Sequence, residues 1–162
     1  MPPRPERVEP TFRPATVDDV DVLTAVERSA SMAALGHLFP PDEFPYPTAD
    51  IRARWVATVA DPAVTVEVLE DPNLDGRVVA FVAFDAERIR HLAVHPRSWR
   101  RGHARRALAL ATSRMVQPRL WMLEGNHRAR GLYEHLGWHP TGRSRPAEWP
   151  PHPTEVELAH HP

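Results

Sequence analysis

Arg90-His91-Leu92-Ala93-Val94-His95-Pro96-Arg97-Ser98-Trp99-Arg100-Arg101-Gly102-His103-Ala104-Arg105-Arg106-Ala107-Leu108-Ala109-Leu110-Ala111 is the stretch whose reading decides the fold. It divides into three parts. Arg90 to His95 is an apolar-rich run with strand character. Pro96 ends it, because proline has no N–H to give to a sheet ladder. From Gly102 onward Ala104, Ala107, Leu108, Ala111 and Met115 recur at helical spacing. The chain therefore runs strand, short loop, helix, with a glycine among arginines in the loop. Free backbone N–H groups at a helix N-terminus form an anion site. Arg97, Arg100, Arg101, Arg105 and Arg106 add fixed positive charge around it. The residues alone point to a cradle for phosphate or pyrophosphate.

The segment Val94 to Ala104 resembles the acyl-CoA loop of the GNAT N-acetyltransferase superfamily, whose pattern is L-x-V-x-P followed by Q/R-x-x-G-x-G/A. Leu92, Val94 and Pro96 fill the first half; Gly102 and Ala104 fill the second. Trp99 stands where the pattern has Gln or Arg, so the resemblance predicts no side-chain contact there. A second segment, Asn126 to Trp138, resembles the family's N-x-x-A-x-x-x-Y-x-x-x-G-F/W motif. It is matched at Asn126, Ala129, Tyr133, Gly137 and Trp138. With the strands around them, the two segments extend the resemblance over about residues 10 to 142.

Composition narrows the alternatives. The chain has 162 residues, with 42% hydrophobic and 25% charged residues, which suits one soluble domain with its own core. There is no cysteine, which excludes disulfides, thiolate metal sites and a cysteine nucleophile. A net charge of −1 argues against a broadly basic nucleic-acid binder. No apolar run reaches membrane-spanning length and MPPRPERVEP has no signal-peptide core, so a cytoplasmic location is expected. His91 and His95 lie about 13 Å apart at strand rise, too far to share an ion. No metal site is expected.

Taken in order, residues 1–9 read as a flexible N-terminal segment and 10–159 as a single domain. Thr11 to Arg13 reads as a short strand. Thr16 and Asp19 form a capping-box pattern before a helix over 17–30, with Val20, Leu23, Val26 and Ala30 as its apolar stripe. Residues 31–47 hold four prolines with Phe39, Phe44 and Tyr46, and read as a packed loop. The resemblance makes this loop a wall or lid of the acceptor cleft; a loop folded over the core fits equally. Thr48 reads as the cap of a second helix carrying Ile51, Trp55 and Val59.

Val64, Val66 and Val68 alternate as a half-buried strand. Val78 to Phe84 reads as a central strand covered on both faces. Further strands are expected over 87–95, 119–124, 138–141 and 154–158, and a helix over 127–136 with Gly137 as its cap. The order is β-α-α-β-β-β-α-β-α-β-β. It describes an α+β fold with helices on both faces of a mixed, mostly antiparallel sheet of about 6–7 strands. The GNAT fold has this layout, and in it two central parallel strands, here 87–95 and 119–124, splay apart to admit the cofactor.

The resemblance implies acyl transfer from acetyl-CoA, as co-substrate, to a primary amine of a small molecule or peptide. The cradle falls on Arg100, Arg101, Gly102, His103 and Ala104. Backbone groups of Leu92, Ala93 and Val94, freed by a strand bulge, would meet the pantetheine arm. Tyr133 would be the general acid that protonates the leaving thiolate, although Ala129, Leu132, Tyr133 and Leu136 also form an ordinary apolar stripe. Asn126 would cap its helix and touch the pantetheine or the acceptor. Glu87, His91 and Glu124 lie on or beside the two splayed strands as general-base candidates, with a water chain as the alternative.

Two other classes compete: a non-catalytic domain that binds acyl-CoA as a sensor, and a nucleic-acid binder using the arginine cluster. Family members often pair, so a homodimer is a further expectation.

Overall fold

β-Branched and aromatic residues between Thr65 and Phe84 supply two long neighbouring strands, and the sheet grows outward from them. The computed structural model describes residues 1–161. Seven strands form one sheet in the order β1-β2-β3-β4-β5-β7-β6. They are β1 Thr11–Pro14, β2 Thr65–Asp71, β3 Arg77–Phe84, β4 Arg88–Val94, β5 Arg119–Leu123, β6 Trp138–Pro146 and β7 Thr154–His160. The helices are α1 Val20–Ala34, α2 Thr48–Ala60, α3 His103–Thr112 and α4 His127–His135. Among the described residues only β4 and β5 pair in parallel. That follows from α3, which carries the chain back across the sheet between them.

Alternation along β3 assigns the layers. Phe81 and Ala83 face α1 and α2, packing with Leu23, Val26, Ile51 and Trp55. Val82 and Phe84 face α3 and α4, packing with Leu108, Ala111, Tyr133 and Trp138. Trp55 and Phe81 meet edge to face at 4.9 Å. The expected α+β fold, with helices on both faces of a mostly antiparallel sheet, is what forms.

Several elements differ in detail from the sequence reading. The first helix begins as a 3-10 turn over Val17–Asp19 and continues to Ala34, because Ser31 to Ala34 contain nothing that breaks a helix. Its capping box is present: the Thr16 N–H donates to Asp19 Oδ2 at 2.8 Å. Thr48 does not cap α2. Pro47 holds the cap position, and the Thr48 hydroxyl donates back to the Tyr46 carbonyl at 3.5 Å. β2 is buried on both faces rather than half-buried. Glu67, the polar residue behind the half-buried reading, is covered by Arg114 at 3.2 Å. β6 runs on to Pro146 past an irregularity between Pro140 and Ser144.

Two glycines, one inside α4 and one just beyond its C-terminal end, make opposite predictions. Gly131 is helical, and a Cβ there would meet nothing within 4 Å. Gly137 has φ +86°. Gly131→Ala should therefore stabilise the protein by about 0.5–1 kcal/mol, and Gly137→Ala should destabilise it by about 1–2 kcal/mol. Urea denaturation of the two variants reads both signs.

Candidate active site

A gap in the sheet organises the site. β4 and β5 pair only at Arg88–Arg119 and Ile89–Leu120. Beyond these pairs both strands continue without a shared ladder. On its other side β4 stays bonded to β3, with Val82 opposite Leu92, Phe81 opposite Ala93 and Ala80 opposite Val94. The register shifts where Ile89 faces Phe84 and His91 faces Ala83, so Arg90 is the extra residue of a bulge. The bulge thus falls at Arg90, before Leu92 to Val94. These three residues owe their unpaired edge to the departure of β5.

Two cavities open from the gap. One of about 900 Å³ lies among α1, α2 and two Pro-rich loops, residues 35–47 between α1 and α2 and residues 147–153 between β6 and β7. One of about 560 Å³ lies against β4, the loop after it and α4. Glu27, Ile89, His91, Trp121, Leu123 and Glu155 line both.

The loop after β4 is built by local rules. Pro96 opens a 3-10 turn over Pro96–Ser98, and His95 Nδ1 accepts the Arg97 N–H at 3.2 Å. The Trp99 indole N–H donates to the Val94 carbonyl at 2.7 Å. Arg128 from α4 lies over the Trp99 ring at 3.9 Å. Such a stack contributes about 0.5–1 kcal/mol at an exposed site. Trp99 thus anchors the loop to β4 and to α4.

The chain then makes two left-handed turns, Arg100 at φ +62° and Gly102 at φ +79°, and enters α3. Arg106 is the first residue of the helix whose N–H finds an acceptor, the Gly102 carbonyl at 3.1 Å. Among the described residues, the N–H groups from Arg100 to Arg105 donate to no protein group. This is an anion cradle of free donors at a positive helix end. Arg100, Arg101 and Arg105 are exposed around it. Arg106 is engaged elsewhere, donating to the Pro10 carbonyl at 2.8 Å and lying over Phe12. His103 and Ala104 both line the smaller cavity. His103 is 5% exposed with both ring nitrogens unpartnered, and burial holds its pKa below the usual histidine value despite the opposing pull of Asp71.

Tyr133 lines the smaller cavity at 9% exposure, edge-on to Trp138 at 5.9 Å. Its hydroxyl has no hydrogen-bond partner among the described residues, and burial pushes its pKa up to about 12. At neutral pH it therefore carries its proton. Asn126 Oδ1 accepts the Ala129 N–H at 3.2 Å, and the residue lines the same cavity.

The acid–base candidates separate. Glu87 and Glu124 are exposed and line neither cavity. His91 lines both and packs against Trp55 at 5.3 Å. Burial first, then the Arg54 and Arg90 charges, lower its pKa to about 3. It is neutral at physiological pH and a weak base.

Glu27 was not among the candidates read from the sequence, yet it lines both cavities. Its signal was available: it stands four residues from Leu23 and seven from Val20, on the apolar stripe of α1. Among the described residues no group of three or more His, Asp or Glu is placed to hold a metal ion, and no helix is long and apolar enough to cross a membrane.

Comparison with known proteins shows the family and the fold. Residues 31–138 match the sequence model of the Acetyltransferase (GNAT) family. The apo form of YjaB from Escherichia coli superposes with a TM-score of 0.75 at 19% identity, over 94% of this chain and 98% of that one. The GCN5-related N-acetyltransferase from Rhodopseudomonas palustris gives 0.72 at 17% identity, over 98% and 99%. YncA from Salmonella typhimurium, a structure with acetyl-CoA, gives 0.65 at 17% identity, over 94% and 93%. No curated protein sequence matches closely enough to count as a relative.

The depressed His91 pKa sets a pH dependence. Between its ordinary value of 6.5 and about 3, the unfolded chain binds the proton and the folded one does not. Stability present above pH 6.5 is therefore lost as pH falls toward 3. His91→Gln should flatten this acid limb by up to about 1.4 kcal/mol per pH unit. Denaturant midpoints from pH 7 to 4 read the slope.

Proposed function

The chain belongs to the GNAT acetyltransferase family, and from that premise we propose that it transfers an acetyl group from acetyl-CoA to a primary amine of a small molecule or peptide. The observation that carries the reading is the meeting of two cavities at an unpaired strand gap, one of them floored by the free amides of Arg100 to Arg105.

In this reading the diphosphate of the co-substrate lies on those amides, with His103 and Ala104 at the helix start. Bonds to charged oxygens are the stronger class of hydrogen bond, and the helix end adds about 0.3–1 kcal/mol. The pantetheine arm runs along the edge of Leu92, Ala93 and Val94 that β5 leaves open and bonds to it beside the Val94 carbonyl, which the Trp99 indole already occupies. That brings the thioester to the gap. The acceptor enters through the larger cavity. The amine nitrogen bonds to the carbonyl carbon, and the C–S bond of the resulting tetrahedral intermediate breaks. Tyr133 gives its hydroxyl proton to the departing sulfur, and the proton that the amine nitrogen sheds returns to the tyrosinate, so the net transfer is one proton from nitrogen to sulfur. Desolvation of the gap strengthens each of these interactions. Asn126 fixes the start of α4 and so the position of Tyr133.

Exposed Glu87 and Glu124 have no part in this route. His91, neutral beside the gap, serves as a hydrogen-bonding wall rather than the proton acceptor.

Release of free CoA thiol from acetyl-CoA in the presence of primary amines tests the activity. Tyr133→Phe should lower kcat by roughly 100-fold and leave the CoA dissociation constant within about twofold. Unchanged kcat would remove the tyrosine from the mechanism.

A further inference from the structure

The wall of the larger cavity carries hydrogen-bonding capacity that the protein does not use. Five buried side-chain nitrogen or oxygen atoms among the described residues lack a partner. Three of them, the Tyr46 hydroxyl, Arg54 Nε and Trp121 Nε1, belong to residues lining this one cavity. All three are donors. A buried donor without an acceptor is costly, and a ligand oxygen removes that cost.

Trp121 stands apart on β5, with Arg145 stacked over its ring at 4.2 Å. Tyr46 and Arg54 belong together with Glu27, since the charges of Glu27 and Arg54 both bear on the Tyr46 hydroxyl. Ser31 lies alongside that hydroxyl without completing a hydrogen bond. Glu27 Oε2 accepts from Arg54 and from the Trp55 indole N–H, the latter at 2.7 Å. Glu27 Oε1 takes no hydrogen bond among the described residues. One free carboxylate oxygen and two free donors therefore belong to residues lining the same cavity.

Their placement along the cavity is ordered. Glu27 lines both cavities, whereas Arg54 and Tyr46 line only the larger. Resting on the acetyl-transfer reading, we propose that the acceptor is an amino acid with an apolar side chain. Its ammonium meets Glu27 Oε1 at the strand gap, and its carboxylate accepts from Arg54 Nε and the Tyr46 hydroxyl.

In an α-amino acid one carbon separates the carboxylate from the amine, so a single bound molecule presents both charges to this one wall. Glu27 Oε1 is also placed to take the proton that the ammonium must lose before its lone pair can attack. The rest of the wall is apolar where a side chain would lie, with Phe39, Phe44 and Trp149 contributed by the two Pro-rich loops. The lining carries four arginines and four glutamates, a balance that suits a zwitterion and leaves a polyamine's charges unmatched.

The test is calorimetry on CoA-saturated protein with L-phenylalanine and L-leucine, each against its decarboxylated counterpart, 2-phenylethylamine and 3-methylbutylamine. The amino acids should bind at least about 30-fold tighter. Tyr46→Phe and Arg54→Lys, which keep the ring and the charge, should each cut that preference about 10-fold. Glu27→Gln should weaken each amino acid and its counterpart alike. Equal or tighter binding of the plain amines, a preference that survives in both variants, or no binding of either class overturns the proposal.

CoA-thiol release measured in parallel keeps the two readings apart. Turnover of plain amines with no preference for amino acids overturns the acceptor class and leaves acetyl transfer standing. Selective amino-acid binding without thiol release upholds the ligand and overturns the transfer.

Discussion

Two residue pairs hold β4 to β5, and the rest of the molecule is arranged around the point where that pairing stops. A parallel ladder gives each interior strand a partner on both edges. Ending it early in the middle of a sheet leaves backbone donors and acceptors unsatisfied, a cost few folds accept outside a binding site. The cost is tolerable because β4 stays paired with β3 on one side, across the Arg90 bulge, and β5 keeps β7 on the other. The Arg90 bulge lets β4 change direction without losing the first of these partners. Each strand stays anchored to its own half of the sheet, so the gap is a fixed feature of the fold and does not depend on a mobile lid.

The helices divide along the same line. α3 and α4 pack on one face and bring the free amides after Trp99 and the Tyr133 hydroxyl to the smaller cavity. α1 and α2 pack on the other face and bring Glu27 and Arg54 to the larger one. The two halves of the proposed reaction are thus supplied from opposite layers, and the interrupted ladder is where they meet. Arg128 over Trp99 ties the cradle loop to α4, so the anion site and the proposed acid belong to one connected unit. That connection explains how a Trp can occupy the Gln/Arg position of the loop pattern. Its indole N–H closes the Val94 carbonyl, and the cradle itself is main chain.

The parts of this arrangement that could be read from the sequence are those set by local chemistry. Pro96, Gly102 and the helical spacing from Ala104 to Met115 fix strand, loop and helix wherever they occur. Asn126 at a helix cap and Gly137 beyond a helix end are equally local. Features that depend on distant partners were not legible. Glu67 reads as the solvent side of a strand because nothing near it in sequence announces Arg114, 47 residues away. Glu124 and Glu87 are close to the splayed strands along the chain yet are exposed and line neither cavity, while Glu27 lines both from α1. Tyr46, Arg54 and Glu27 come from a loop and two helices, and no motif spans them. The bulge at Arg90 is a property of register with β3, which a single strand's sequence does not encode.

A backbone-amide titration with CoA, followed residue by residue in ¹H–¹⁵N spectra, bears most directly on the gap as a cofactor channel. The largest shifts should fall on the amides of Arg100 to Arg105 and of Leu92 to Val94, on both the cradle and the open strand edge. Shifts concentrated elsewhere, with those two groups of amides unmoved at saturation, would contradict a channel there.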